Sequence, residues 1–341
     1  MRPLADLTWF KSHNFVEAVT KIYSRSPKQL GCMIDHMELL AICLIDKKIS
    51  TGEILNIRDD EAAFDGTEEA VEELDTTQYP NVISDESMKI LIKDRLEYRR
   101  SNWAEVWPFE LEVSDRGYCT LKFNSAHPFS VHYIYLLLTL YAKYIEKGND
   151  YRNFFEECCY HLAKRLFPED SGWIVKQTGA AAVGSNAYTG NNHKKLQGIS
   201  TDLNLSNRPP ERIVSSSGDS GIDLIAFHQL YDQRGCLPVV FMQCACSADI
   251  DKLENKTWDA CYTRLQSFLN LDIMHEWFVF SPYDWFDSMQ PNRFVVSNNH
   301  AVVFDRGRIL KSIYKLGIQI TLTQSISDQI KEFINAKGSF H

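Results

Sequence analysis

Ser217–Phe227, SGDSGIDLIAF, and Leu237–Ser247, LPVVFMQCACS, decide how the second half of the chain folds. The first is a turn of Gly, Ser and Asp running into an apolar stretch. The second is a continuous apolar run that ends in Gln243. Runs without polar alternation are strands buried on both faces of a sheet. A polar residue in such a strand needs a partner or a task, because burying an unpaired amide costs on the order of 2 kcal/mol or more. Gln243 is such a residue, and Asp223 stands where the preceding strand begins. Their oxygens suit magnesium, which takes a few protein oxygens together with water and phosphate.

Upstream, Tyr151 to Phe167 places Phe155, Cys159, Leu162 and Leu166 at helical spacing, with Glu156 beside the stripe. Glu156 is a candidate third oxygen, directly or through water, and Asp219 in the acidic turn is a further candidate ligand. A metal held there would polarise a phosphodiester and lower the pKa of an attacking water. Each residue alone also has a plain structural reading. Asp219 and Asp223 start turns, Glu156 is a helix-surface charge, and Gln243 completes a buried polar network.

The order of elements around this constellation is helix, strand, long loop, two strands, helix, strands and a last helix. The loop, Gly179 to Ser217, is rich in Gly, Asn and Ser and carries Lys194, Lys195, Arg208 and Arg212, candidate phosphate contacts. A structureless stretch of that length in a compact domain is functional or disordered. Its GAAAVGS string lacks the GK[ST] lysine of a phosphate loop.

The first half reads as mainly helical. Helices are expected over Asp6 to Ser24 and Gln29 to Asp46, and from a Ser84 cap to Trp103, with Asp85 and Glu86 in the first turn. Lys89, Lys93, Arg95, Arg99 and Arg100 on that last helix read as solvated charges, or as a phosphate-contacting surface. Glu110 to Phe123 alternates like a hairpin around Asp115-Arg116-Gly117, and Leu136 to Tyr144 is a buried helix. The acidic stretch Arg58 to Asp75 is a solvated loop or helix face. Lys147-Gly148-Asn149-Asp150 marks a boundary between a domain at 1–148 and a domain at 149–341.

The chain has 341 residues, 44% of them hydrophobic, enough for two cores, and a net charge of -9. An acidic protein can meet nucleic acid only through a local basic patch. Nine cysteines without CxxC or His/Cys spacing read as free thiols rather than zinc ligands or disulfides. His127, His132, His161 and His300 lack metal or triad spacing. No signal-peptide run opens the chain, and Val131 to Tyr144 is too short to span a bilayer. The expectation is a soluble, cytoplasmic protein with no membrane contact.

From about Tyr151 onward the chain resembles the PD-(D/E)xK, or restriction-endonuclease-like, nucleases, in particular the branch used in methyl-dependent restriction and phage defence. FFEECCYHLAKRLF, GDSGIDLIAF and FMQCACS stand in the order and separation of that branch's helix acid, acidic turn-and-strand, and QCK strand. EWFVFSPYDWF and AVVFDRGRIL resemble its two remaining strands. The resemblance implies an α/β fold with a mixed central sheet flanked by helices, the site lying where the two central strands diverge. It implies Mg2+ or Mn2+ held by Asp223, Gln243 and Glu156, DNA as substrate, and a partner protein, an ATPase or sensor subunit of a defence system. A homo-oligomer and an RNA substrate are further options.

The chain departs from the branch at the lysine, where Ala245 stands. Three readings stay open. The lysine has migrated to the next helix, as Lys252 or Lys256, which are spaced i, i+4 and have a stem reach of roughly 6 Å. The domain is natively inactive, a binding or scaffold subunit. Or Ala245 is an engineered substitution.

Overall fold

The computed structural model describes residues 30–44, 46–55, 84–178, 186–205, 221–232, 234–246, 256, 262–266, 268–269, 271, 275–284 and 301–335. Within them the protein is mixed α/β, with eight α-helices and two sheets. The chain divides into two compact units, one of residues 1–148, 286–293 and 322–341, the other of 149–285 and 294–321. Asp219, Lys252, Arg208, Arg212, the expected helix Asp6 to Ser24, the acidic stretch Arg58 to Asp75 and His300 all lie outside the described residues.

In the first unit α1 (Leu30–Cys43) is apolar on nearly all sides and buried from Met33 to Cys43. Burial forces its Asp35 and Glu38 to find a cation. It comes from α2 (Asp85–Asn102), which starts at Ser84, whose hydroxyl accepts from Ser87 N at 3.3 Å. Arg99 Nη2 meets Asp35 Oδ1 at 2.8 Å and Nη1 meets Glu38 Oε1 at 2.6 Å, all three side chains being fully buried. Trp107 Nε1 and Tyr133 Oη also donate to Glu38, at 2.9 and 2.7 Å. The expectation of solvated charges on this helix is therefore corrected at Arg95 and Arg99. They share the helix face of Met88, Ile92, Leu96 and Trp103, which is buried.

A three-stranded antiparallel sheet accompanies these helices, in the order β1 (Lys48–Ser50), β3 (Cys119–Phe123), β2 (Phe109–Val113). The β2–β3 hairpin turns through Gly117, whose φ of 77° belongs to the left-handed region that glycine tolerates. Helix α3 (Ser130–Leu140) is buried along almost its whole length.

The second unit begins with α4 (Gly148–Leu166), so the Lys147–Asp150 cluster is a chain reversal merging into a helix start, with Lys147 at φ 58°. Its buried stripe is Tyr151, Phe155, Cys158, Cys159, Leu162 and Ala163. The five-stranded sheet runs β4 (Trp173–Gln177), β5 (Leu224–His228), β6 (Val239–Cys244), β7 (Glu276–Phe280), β8 (Val302–Phe304). The β4–β5 and β5–β6 pairs are antiparallel; β6–β7 and β7–β8 are parallel. Strands β5 and β6 are buried on both faces, as their unbroken apolar runs require.

Between β4 and β5 lies α5 (Asn192–Asp202), and after β6 comes the short α6 (Tyr262–Leu265). Helix α7 (Arg306–Lys315) follows β8, capped by Asp305, which accepts from Arg308 N at 2.8 Å. Helix α8 (Gln324–Asn335) buries Ile326, Ile330 and Phe333 and packs on α1 and α3. A second domain running unbroken to 341 is therefore corrected: the i, i+4, i+7 stripe of this last helix completes the core of the first unit.

Candidate functional site

The regular β5–β6 register pairs Leu224 with Met242, which would set Asp223 opposite Gln243. The ladder slips at this point. Asp223 N donates to Met242 O of β6 at 2.9 Å, while Asp223 O accepts from Thr178 N beside β4 at 2.7 Å. In a regular antiparallel strand one residue's N–H and C=O face the same neighbour. At Asp223 they face opposite neighbours, so the backbone turns there and the strands diverge. The Cys244 amide takes the Asp223 carboxylate as its acceptor, donating to Oδ2 at 2.6 Å. A charge-assisted bond of this kind fixes the carboxylate at the strand end.

Gln243, on β6, is 3% exposed, as is Asp223. Its Oε1 is buried with no hydrogen-bond partner among the described residues. An unpaired buried acceptor of this sort costs about 1–3 kcal/mol. The structure thus brings together on adjacent strands a carboxylate and an orphaned amide oxygen, the two residues singled out from the sequence.

Glu156 reaches the same end of β6 from α4. Alternation along β6 puts Cys244 on the face opposite Gln243. The Cys244 thiol hydrogen-bonds that of Cys159 on α4. Burial first, and then this mutual contact, push the Cys244 thiol well above the ordinary value. Cys246 is likewise pushed up, by burial, then by Cys159 and Glu156. Both Glu156 and Asp223 act electrostatically on Cys159, Cys244 and Cys246, so the two carboxylates share one neighbourhood. Glu156 is half-buried and lies on a helix that covers the Cys244 side. Among the described residues no three His, Cys, Asp or Glu side chains form a group that could hold a metal ion. The oxygen pair Asp223 and Gln243 is what the strands themselves supply. The thiols beside Asp223 leave little trace in the sequence: Cys244 and Cys246 alternate visibly, but their meeting with Cys159 depends on how α4 docks.

Ala245 is buried and continues the ladder, donating its N–H to Phe280 O at 2.8 Å. It falls on the Gln243 side, where a longer side chain would enter the site. Lys256 is exposed. The expected loop is corrected over 192–202: α5 forms because Asn191 Oδ1 caps Lys194 N at 3.0 Å and Leu196, Ile199 and Leu203 are buried at helical spacing.

Residues 186–188 run along the open edge of β4, with Gln177 N donating to Asn186 O at 2.9 Å and Tyr188 N to Gln177 O at 2.8 Å. Asp202, at the end of α5, accepts from Lys176 Nζ at 2.6 Å and from the Tyr188 hydroxyl. So anchored, α5 leaves Lys194 exposed and sends Lys195 Nζ to the Thr178 carbonyl. Thr178 Oγ1 in turn donates to Ile222 O.

Among the described residues no helix is long and apolar enough to cross a membrane. No family model, no curated protein and no solved structure matches the chain.

Proposed function

We propose that the second unit is a metal-dependent nuclease of the restriction-endonuclease-like type that hydrolyses DNA phosphodiester bonds. The observation that carries this reading is the orphaned Gln243 Oε1 on the strand next to the one that the fixed Asp223 carboxylate opens, where β5 and β6 part. The strand order supports it: after a helix come three antiparallel strands and then two parallel ones, a mixed sheet with Asp223 and Gln243 on neighbouring inner strands.

The donor set fits a hard divalent cation. Two protein oxygens, one charged and one neutral, suit Mg2+ or Mn2+ completed by water and phosphate, and no soft ligand is required. Asp223 and Gln243 would hold it; Glu156, which α4 sets on the Cys244 side, would assist through water on the Asp223 side, and Asp219, four residues earlier in the sequence, is a further candidate acid. When bound, such an ion supplies Lewis-acid polarisation and a more acidic water. The chain's own contribution is to fix the carboxylate through the Cys244 amide, to keep the amide oxygen dry, and to bring basic residues against the phosphate. Lys194, Lys195, Arg208 and Arg212 are the phosphate contacts, and Lys252, with Lys256 as alternative, is the candidate water-orienting lysine. As effector of a restriction or anti-phage system the protein would work with an ATPase or sensor partner, since its sequence carries no nucleotide-binding motif.

A second reading is favoured by the buried Ala245 and the net charge of -9: a catalytically inactive subunit that binds nucleic acid or acts as scaffold. Cleavage of plasmid and linear DNA, and of RNA, with Mg2+ or Mn2+ separates the readings. Cleavage that disappears in Asp223→Ala and Gln243→Ala supports the nuclease. Binding without cleavage under either metal, with partners present, supports the scaffold.

A further inference from the structure

Phosphodiester hydrolysis builds negative charge on the phosphoryl oxygens, and a site without a fixed cation at that point loses most of its electrostatic stabilisation. Just beyond β6, the next position on the Gln243 side is Ala245, which has no charge to offer. We propose that Lys195, carried by α5 from beyond the β4 edge, contacts the scissile phosphate beside Asp223 and supplies that charge. This inference rests on the nuclease reading and assigns one residue's part within it.

Three observations converge on Lys195. The first is position. Its Nζ donates to Thr178 O, and Thr178 is the residue whose N–H bonds Asp223 O. The ammonium is thereby held about one strand spacing, roughly 5 Å, from the turn of backbone at Asp223. The turn itself makes this place available. Because Asp223 N faces β6, it cannot return a bond to Thr178 O, and the lysine takes that carbonyl instead.

The second is capacity. An ammonium has three donors; one is used on Thr178 O, and among the described residues no carboxylate pairs with Lys195. Lys176, the other lysine on this edge, differs, since Asp202 neutralises it at 2.6 Å. The third is that the position is built. Helix α5 is capped by Asn191, tied through Asp202 to Lys176 and Tyr188, and packed so closely that a Cβ on Gly198 would sit 2.7 Å from the Tyr188 ring. Lys195 is half-buried on this anchored helix, whereas its neighbour Lys194 is exposed.

The test uses the full chain. Lys195→Met keeps the stem and removes the charge. With Mg2+ and saturating linear duplex, single-turnover cleavage should fall about 100-fold, the scale of losing one transition-state donor. The Kd for the same duplex, measured without divalent ions, should change far less, and Lys195→Arg should recover part of the rate. In parallel, reductive methylation read by mass spectrometry should show Lys195 protected by duplex DNA in the unsubstituted protein. Parental cleavage by Lys195→Met, or equal methylation with and without DNA, overturns the assignment and leaves Lys195 a cap on Thr178 O. If the unsubstituted protein cleaves nothing, the nuclease reading fails by itself. Protection from methylation then decides whether Lys195 still meets phosphate.

Discussion

Gln243 has an oxygen that no described residue satisfies, and that makes its role separable from packing. A glutamine kept for structure would lose stability when replaced. One kept for a ligand would lose only function. Gln243→Met preserves length and volume and deletes the orphan acceptor, so thermal unfolding should stay level or shift upward, by at most about 1–3 kcal/mol, while Mg2+-dependent cleavage disappears. Retained cleavage with a lower melting temperature would assign the residue to the core. That Asp223 and Gln243 fall on neighbouring strands was legible in the sequence, because one opens an apolar run and the other closes the next. The slip that gives the Asp223 carboxylate to the Cys244 amide was not legible. It depends on a mismatch among three strands, and no stretch of one strand records it.

Helices were readable where their ends are chemically marked and misread where composition masks the period. Ser84 and Trp103 bound α2 as its cap and stop. Helix α5 was hidden inside a Gly, Asn and Ser-rich stretch, although Asn191 and the spacing of Leu196, Ile199 and Leu203 announce it. Its Gly198 is required by the approach of Tyr188, and Gly198→Ala would force the ring to move. Overpacking of this kind costs about 1–3 kcal/mol. It should loosen α5 from β4, which amide exchange along 192–202 would detect as faster opening, with exchange in β5 and β6 unchanged. In α2 the basic residues read as solvated when charge is considered without period. Met88, Ile92, Arg95, Leu96, Arg99 and Trp103 form one face, and the two arginines on it are buried. Arg99→Met leaves Asp35 and Glu38 buried without that cation, which should destabilise the first unit by about 3–5 kcal/mol. Urea denaturation followed by tryptophan fluorescence, with Trp103 and Trp107 beside the cluster, would report it; a midpoint equal to that of the parent would show the ion pairs to be dispensable.

The whole molecule divides its burdens between the two units, and solution conditions should act on them differently. In the first, the fully buried His36 imidazole has its pKa pushed from 6.5 down to about 3 by loss of water. Its folded value lies below its unfolded value, so the unfolded chain takes up a proton that the folded chain refuses. Above pH 6.5 this costs nothing; below it, stability should fall by about 1.4 kcal/mol per pH unit until the pH nears 3. His36→Phe should flatten that limb in denaturation series at pH 7, 6 and 5, and an unchanged slope would place the acid sensitivity elsewhere. In the second unit the governing condition is salt. A chain of net charge -9 has no general affinity for a polyanion, so on the proposed nuclease reading DNA would be held by a few basic residues alone. Lys194, Lys195, Arg208 and Arg212, each neutralising one phosphate, give a slope of log K against log salt of about -3.6. Fluorescence anisotropy of a labelled duplex across a KCl series, without divalent ions, measures that slope. A value twice as steep would require a basic surface spread beyond these four residues, and a flat line would mean that the protein does not bind phosphate through them. A slope near the expected value that shortens by about one unit in Lys195→Met would tie this long-range electrostatics to the single ammonium held on Thr178.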